Sequence, residues 1–422
     1  MKHKKGIVVF TALFTVVVFF SIFLFIWFWG DDYPDFEGNT FREEVAIPGL
    51  KDGACPQGLA TASHSLYNKD GEIEYVVDGD GNVTKQAKTQ DYYLVSAYFK
   101  DKPSRIYVVG KQSGYLGYVS LKFDDKDYYG HVGGIATNGT WVWIGSGNKV
   151  FCFTRTDTKA YSNAVDEIIQ RCFDNGELEL TKYFLVNGNA AFVSYYKAAT
   201  TSTERLYVGE FYRKGNYETA KNHHVKTPEG NMQRAFMYEF NVSSSTDYGL
   251  SIKTDVETIS EQVPKVQKIF SIPDRIQGVA RVSGNSEEGG DILILSQSYG
   301  LANSEIMLYN FGTVEDSVNR VAYTAIDEEG FEYPGVTYGE FVTKPYRDKT
   351  VYVYFVYGSA GSDKTDGKIP FYRSYSIPSM SEGLAVSANG RVNILFESSA
   401  NKYKPFVRQP LDKIYSFIPT KR

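Results

Sequence analysis

The sequence predicts an all-β domain, a five- or six-bladed β-propeller, preceded by a single N-terminal transmembrane helix. Three observations lead there. Residues 6–29 form an uncharged apolar run. The remainder is rich in aromatics, with 33 Tyr and 28 Phe, which suits pleated, half-buried surfaces. A four-residue word, x-Gly-aliphatic-Ala, recurs four times ahead of apolar runs of strand length.

The apolar run comes first. Met1-Lys-His-Lys-Lys precedes Gly6 to Trp29, GIVVFTALFTVVVFFSIFLFIWFW. As a helix this stretch is about 36 Å long, enough to cross a hydrocarbon core of about 30 Å. Trp27 and Trp29 fall at the far boundary, where indole rings favour the interface, and Asp31-Asp32 follow. Lysines before the span and acids after it place residues 1–5 in the cytoplasm, residues 6–29 across the cell membrane and residues 30–422 outside. A cleaved signal peptide would carry a shorter apolar region and a small-x-small site. Trp-Phe-Trp-Gly-Asp-Asp offers neither. Residues 30–45 read as a polar tether and residues 46–422 as the extracytoplasmic propeller.

The repeat defines that domain. Gln57-Gly-Leu-Ala, Gly133-Gly-Ile-Ala, Gln277-Gly-Val-Ala and Glu382-Gly-Leu-Ala share one pattern. Each precedes an apolar run: YYLVSAYF (92–99), TWVWIGS (140–146), DILILSQSY (291–299) and VNILFESS (392–399). A fifth unit lacks the word but keeps the runs AAFVSYY (190–196) and RLYVGEF (205–211). Ser96 and Ser104, Ser194 and Ser202, and Ser296 and Ser304 are each eight apart. A narrow Gly-aliphatic-Ala strand suits the innermost place in a radial array, where bulky side chains would collide, and such an array leaves few exposed edges. The segments 333–342 and 350–358 provide a candidate sixth unit. Closure is expected to use residues 46–56 or the last strand, KIYSFI. Inserts at 63–90, 212–236 and 312–332 read as face loops, and Ala164–Phe173 as the one short helix. Asp78-Gly-Asp-Gly-Asn82 has oxygens at calcium-loop positions 1, 3 and 5, but Thr89 at position 12 lacks the carboxylate such a loop needs. Its alternating flanks favour a hairpin turn.

Charge and cysteine count limit the functional classes. Forty-five basic and 50 acidic residues give a net charge of −5, and no basic cluster is present for a nucleic acid. Three cysteines, Cys55, Cys152 and Cys172, do not make a disulfide scaffold. A Cys152–Cys172 bridge and buried reduced thiols both remain open readings. No P-loop, HExxH, CxxC or Gly-x-Ser-x-Gly motif occurs.

The Gly-Leu/Ile-Ala opening, with an ILILS-type strand and an IYVV-type strand after it, resembles the extracellular propeller superfamily of strictosidine synthase-like, gluconolactonase-like and phytase/esterase-like proteins. The likeness covers roughly residues 50–418. It implies a central tunnel and, in lactonase-like members, a calcium ion (Ca2+) held by Glu and Asn or Asp. Glu382 matches the opening Glu of that pattern. The second-strand positions hold Ser96, Ser146, Ser194 and Ser296, a departure from the Asn or Asp partners.

The residues before the opening glycine are expected at the channel mouth: Gln57, His131 (two before Gly133), Gln277 and Glu382, with Asn187 or Asn189 in the fifth unit. Polar groups converging on an axis form a ligand site or simply bond one another. His131 has the side chain best suited to general base work near neutral pH, but no second His lies at ligand spacing. His64 reads as a loop residue, and His223-His224 as part of a surface insert. The expected function is ligand binding or interaction, with a small molecule, glycan or protein as ligand and no required cofactor. The alternative is a metal-dependent lactonase- or esterase-like hydrolase using Glu382. A sugar-active enzyme would need two or three carboxylates facing one pocket, and Glu382 is the single candidate in the sequence.

Overall fold

Every copy of the recurring word opens the innermost strand of a separate sheet. The computed structural model describes residues 33, 36, 38 and 40–419, apart from 69, 253–263, 285–289, 324–335, 338–350 and 363–366. In the first sheet Cys55–Ser65 is innermost, with Thr89–Tyr98, Arg105–Gly110 and Gly114–Phe123 following outward. The second runs Gly134–Thr137, Trp141–Ser146, Lys149–Thr154 and Lys182–Val186. The third runs Phe192–Lys197, Glu204–Gly209, Ala235–Asn241 and Val266–Ile272. The fourth runs Ile276–Val282, Ile292–Gln297, Ser304–Asn310 and Phe371–Ile377. The fifth begins with Ser381–Val386, Val392–Phe396 and Lys413–Phe417 and takes its outer strand, Phe41–Ala46, from the other end of the chain. The five inner strands touch in ring order, and the fifth returns to the first. The domain is a five-bladed β-propeller.

The candidate sixth blade does not exist. Val351–Phe355 instead adds in parallel to the outside of the third blade, pairing Ile269 with Val353, and Val336–Thr337 pairs with the outer strand of the second. Strand propensity was read correctly there, but among the described residues no inner strand accompanies it, and a blade needs one. The rest of 333–342 lies outside the described residues. So does the apolar run 6–29; among the described residues no helix is long and apolar enough to cross a membrane.

Part of the expected tether is also structural. Phe41–Ala46 pairs antiparallel with Lys413–Phe417, in register Phe41 to Phe417. Its sequence, FREEVA, reads as polar because an outermost strand buries little: Phe41 is covered while Arg42 and Glu43 face solvent. Before it, Phe36 lies against Tyr415 with ring centroids 4.8 Å apart, and the Tyr33 hydroxyl donates to Asn303 Oδ1 at 2.9 Å. Glu44 faces inward with its carboxylate 2.7 Å from Arg42 Nε and 3.2 Å from Lys111 Nζ of the first blade.

Close approach of neighbouring inner strands explains the glycine of the word. A Cβ on Gly58 would lie 2.6 Å from Ile135 N, one on Gly134 2.2 Å from Val193 N, and one on Gly383 2.7 Å from Leu59 N. The fifth unit has Phe192 instead. Its ring covers Gly209 on the next strand, where a Cβ would sit 1.9 Å from Phe192 Cζ.

The serines eight apart clasp one blade to the next. Ser96 Oγ accepts from Gly58 N at 3.1 Å and donates to Val132 O at 2.8 Å, at the entrance to the second blade. Ser104 Oγ donates to Gly130 O at 2.5 Å. In the fourth blade Ser296 Oγ meets Ser381 Oγ at 2.7 Å, and Ser304 Oγ accepts from Ser381 N at 3.1 Å. In the third blade Ser194 is buried but Ser202 is exposed, so that pair makes no such clasp.

The expected helix forms at Ala164–Phe173, capped by Asn163 and buried through Val165, Ile168, Ile169 and Cys172. Asp78 Oδ1 accepts from the Asp80 and Asn82 amides in a turn between Tyr75–Val77 and Val83–Ala87. Two histidine placements differ from expectation. His64 is on the extended first inner strand, with Nε2 3.3 Å from Ser162 Oγ. His223 is fully buried, its Nδ1 2.8 Å from Glu210 Oε2, because the 212–236 insert folds inward over the third blade. All three cysteines are free and buried; Cys152 packs between the second and third blades, and Cys172 between the first and second.

Candidate functional site at one mouth of the channel

Irregular pairing aims the residue before the glycine at the axis. The ladder slips between Pro56 and Gly58, between Ile276 and Gly278, and between Ser381 and Leu384. Gln57, Gln277 and Glu382 are therefore bulge residues, and a bulge redirects its side chain. Arg275 (φ 66) and Met380 (φ 64) take the left-handed region two residues earlier, and Val132 (φ 44) does so before Gly133. Non-glycine residues rarely adopt that region, and it recurs at sites held by their surroundings.

Gln57, His131, Gln277 and Glu382 all line one cavity of about 500 Å³, joined by Asn189. Asn187 does not line it; its carbonyl accepts from the Tyr238 hydroxyl at 2.7 Å. The inner strands narrow beyond this mouth and reopen at the opposite end. There a second cavity of about 590 Å³ lies beside Arg281 and Tyr196. Arg281 is fully engaged, at 2.6 Å to Asp291, 2.9 Å to Tyr207 Oη and 3.6 Å from the Phe311 ring.

The floor of the first cavity is a carboxyl pair. Glu382, 2% exposed, hydrogen-bonds to Glu397. Gln277 Nε2 donates to Glu382 Oε1 at 3.2 Å, and Gln57 Nε2 to Glu397 Oε2 at 2.9 Å. Burial, reinforced by the neighbouring Glu397 charge, holds the Glu382 carboxyl well above the usual carboxylate range. Burial also raises Glu397, against hydrogen bonds from Cys55, Glu382 and Gln57 that favour its charge. Both carboxyls are therefore held above the usual carboxylate range, and the pair shares a proton. Cys55 Sγ donates to Glu397 Oε2 at 3.4 Å, and burial beside that charge pushes the thiol up to about 12. A thiol so rarely ionised is no nucleophile.

Aromatic rings and one cation form the wall. His131 stacks on Tyr98 with centroids 4.4 Å apart. The imidazole meets solvent at the rim although the wall encloses most of it. Desolvation lowers its pKa, and Lys402 adds to that direction, so the ring is neutral at physiological pH. Lys402 Nζ donates to Tyr98 Oη at 3.3 Å and lies 4.7 Å from the Tyr403 ring. Across the mouth the Arg213 guanidinium sits 3.9 Å from the Tyr299 ring.

Sequence reading missed Glu397, Tyr98, Lys402 and Tyr403. Antiparallel pairing puts the end of each second strand beside the start of the inner strand, so Tyr98, Ser298 and Glu397 arrive at the same mouth. The signal available was the glutamate just after VNILF, where the corresponding strands carry Ala97 and Gln297.

The residues do not make a calcium ligand set as they stand. No group of three His, Cys, Asp or Glu residues is placed to hold a metal among the described residues. The carboxyls are turned towards each other, and both glutamines present their amide nitrogens. Of the serines expected at second-strand positions, Ser96 and Ser296 are committed to the blade clasps, Ser146 accepts from Val132 N at 3.2 Å, and Ser194 lies instead on the inner strand of the third blade.

No family model matches the chain, and no curated protein matches it. A solved structure described as "Crystal structure of BBS1N in complex with ARL6DN, soaked with mercury" aligns over 90% of this chain and 97% of that chain, at 10% identity and a TM-score of 0.28. A superposition that loose says nothing about function.

Proposed function

We propose that the chain is a membrane-displayed binding protein whose propeller takes a small ligand at the mouth floored by Glu382 and Glu397. One observation carries the reading: three bulges and the ends of two second strands deliver amides, carboxyls and aromatic rings to a single open cavity. A concave site with a few placed polar groups is how proteins hold small molecules or the tip of a glycan or peptide. The apolar run 6–29 supports display outside the cell from a single span with a cytoplasmic N-terminus. Ligand-observed NMR with the full chain tests the site. Molecules that bind should lose tenfold or more in affinity on Glu397→Gln, and binding indifferent to that substitution would overturn the reading. A mature chain starting near residue 30, read by mass, would overturn the anchor.

A second reading, an extracytoplasmic lactonase- or esterase-like hydrolase, is favoured by Glu382, whose carboxyl is held above the usual carboxylate range in the lining of a cavity, as suits a general acid. Its metal form requires Ca2+ to turn the carboxyls, so EDTA should lower the melting temperature; an unchanged curve sinks that form. Glycoside hydrolysis fits less well. Carboxyls bonded to each other are closer than the about 5–5.5 Å of retaining enzymes.

A further inference from the structure

Buried glutamates in this protein follow a pattern that Glu382 breaks. Glu167 has Arg171 at 2.8 Å, Glu210 has His223 at 2.8 Å, and Glu239 has Arg205 at 3.6 Å and Arg281 at 3.7 Å. Glu382 faces another carboxyl instead. Among the described residues no basic group comes within ion-pair distance of Glu382 or Glu397. Two carboxyls at hydrogen-bond distance in a dry floor do not both ionise, so one proton stands where a counter-cation would otherwise be.

The space above that proton is suited to a cation. Rings of Tyr98, His131, Phe211, Tyr217, Tyr299 and Tyr403 surround it. Aromatic faces attract cations within about 6 Å, and two rings of this wall already carry Lys402 and Arg213. We infer that this mouth binds a small organic cation, an alkylammonium group, which takes the place of the proton shared by Glu382 and Glu397. The inference rests on reading the mouth as a ligand site. The displaced proton passes to solvent, the ammonium keeps its own, and no covalent bond changes. Lys402, at the rim, opposes the incoming charge and sets how tightly it is held.

The ionisable groups facing the pair are Cys55, Tyr98 and His131 from the first blade and its exit, and Lys402 and Tyr403 from the loop after the fifth blade's second strand. Burial keeps the Cys55 thiol and both tyrosines protonated, and His131 stays neutral. Lys402, raised by its Tyr403 bond, remains charged. Of this cluster the carboxyl pair, raised above the usual carboxylate range, is left as the group that can give up a proton to make room for a cation.

The test is calorimetry on the full chain in detergent, with propylammonium, methyl β-glucoside and Ca2+ as probes, in two buffers of different ionisation enthalpy. Propylammonium should bind with release of close to one proton, and its affinity should rise by up to about tenfold per pH unit between pH 5 and 7. Glu382→Gln should remove both the proton release and the pH slope. Lys402→Ala, at an exposed position, should strengthen binding severalfold. Glucoside binding that is weakened by Glu397→Gln but releases no proton overturns the cation while leaving the ligand site standing. Proton release by Ca2+ without propylammonium binding overturns it in favour of a metal, and weaker binding in Lys402→Ala overturns it in favour of an anion.

Discussion

Glu382 links the site to stability, and the sign of the linkage is definite. Its carboxyl is held protonated in the fold above the pH at which an unfolded glutamate ionises. Its stabilising contribution is therefore complete below the unfolded value, near pH 4.5, and is lost as pH rises towards the folded value. Glu382→Gln, a neutral amide of the same shape that can donate to Glu397, should melt higher than the parent at pH 7–8. The advantage should shrink to nothing near pH 4. Thermal melts across that range check it, and an advantage that persists unchanged at pH 4 would show that the shared proton is not its cause. At this scale the sequence was half legible. Gln57, Gln277 and Glu382 could be gathered because each stands directly before the glycine of the repeated word, and His131 because it lies just ahead of the second copy. Glu397 could not, since its position depends on which strand ends face the same mouth, a property of pairing that no single strand displays.

The elements of the propeller are held together by backbones packed too closely for side chains. Gly134→Ala would place a methyl 2.2 Å from Val193 N, where no rotamer change relieves the clash. Overpacking of this kind costs about 1–3 kcal/mol, so the melting temperature should drop by several degrees. Gly79→Ala, in the exposed hairpin turn with nothing within 4 Å of its Cβ, should stay within about 0.5 kcal/mol of the parent. Equal losses in paired thermal melts would show that inner-strand proximity is not what the word encodes. The word, the helix and the hairpin turn were readable because each has a local steric cause. The serine clasps were visible only as a spacing. Their partners include groups on the following blade, so the spacing marked the repeat without showing that two of the three pairs join blades.

The whole molecule depends on a strand supplied from residues 41–46. A chain shortened to begin at residue 47 would leave the Lys413–Phe417 edge open and deprive Lys111 and Arg391 of Glu44. It should aggregate or melt without a sharp transition, whereas a chain beginning at residue 30 should unfold cooperatively; circular dichroism and size-exclusion chromatography distinguish them. Cooperative melting of the shorter chain would mean that closure is dispensable. Blade number was the least legible property, because the strand-like run at 350–358 shows no sign in its own sequence of joining the third blade rather than founding a sixth.

The contact between Tyr33 and Asn303 fixes where the chain enters the domain. Asn303 lies on the fourth-blade turn after Ser298 and Tyr299, which line the cavity of the carboxyl pair. Tyr33 is four residue steps from Trp29, and a chain that short reaches at most about 14 Å. If residues 6–29 cross a bilayer, the propeller is moored at the rim of its ligand-bearing face. That face would look across a shallow gap at the lipid headgroups, and anything entering the mouth would approach along the membrane surface.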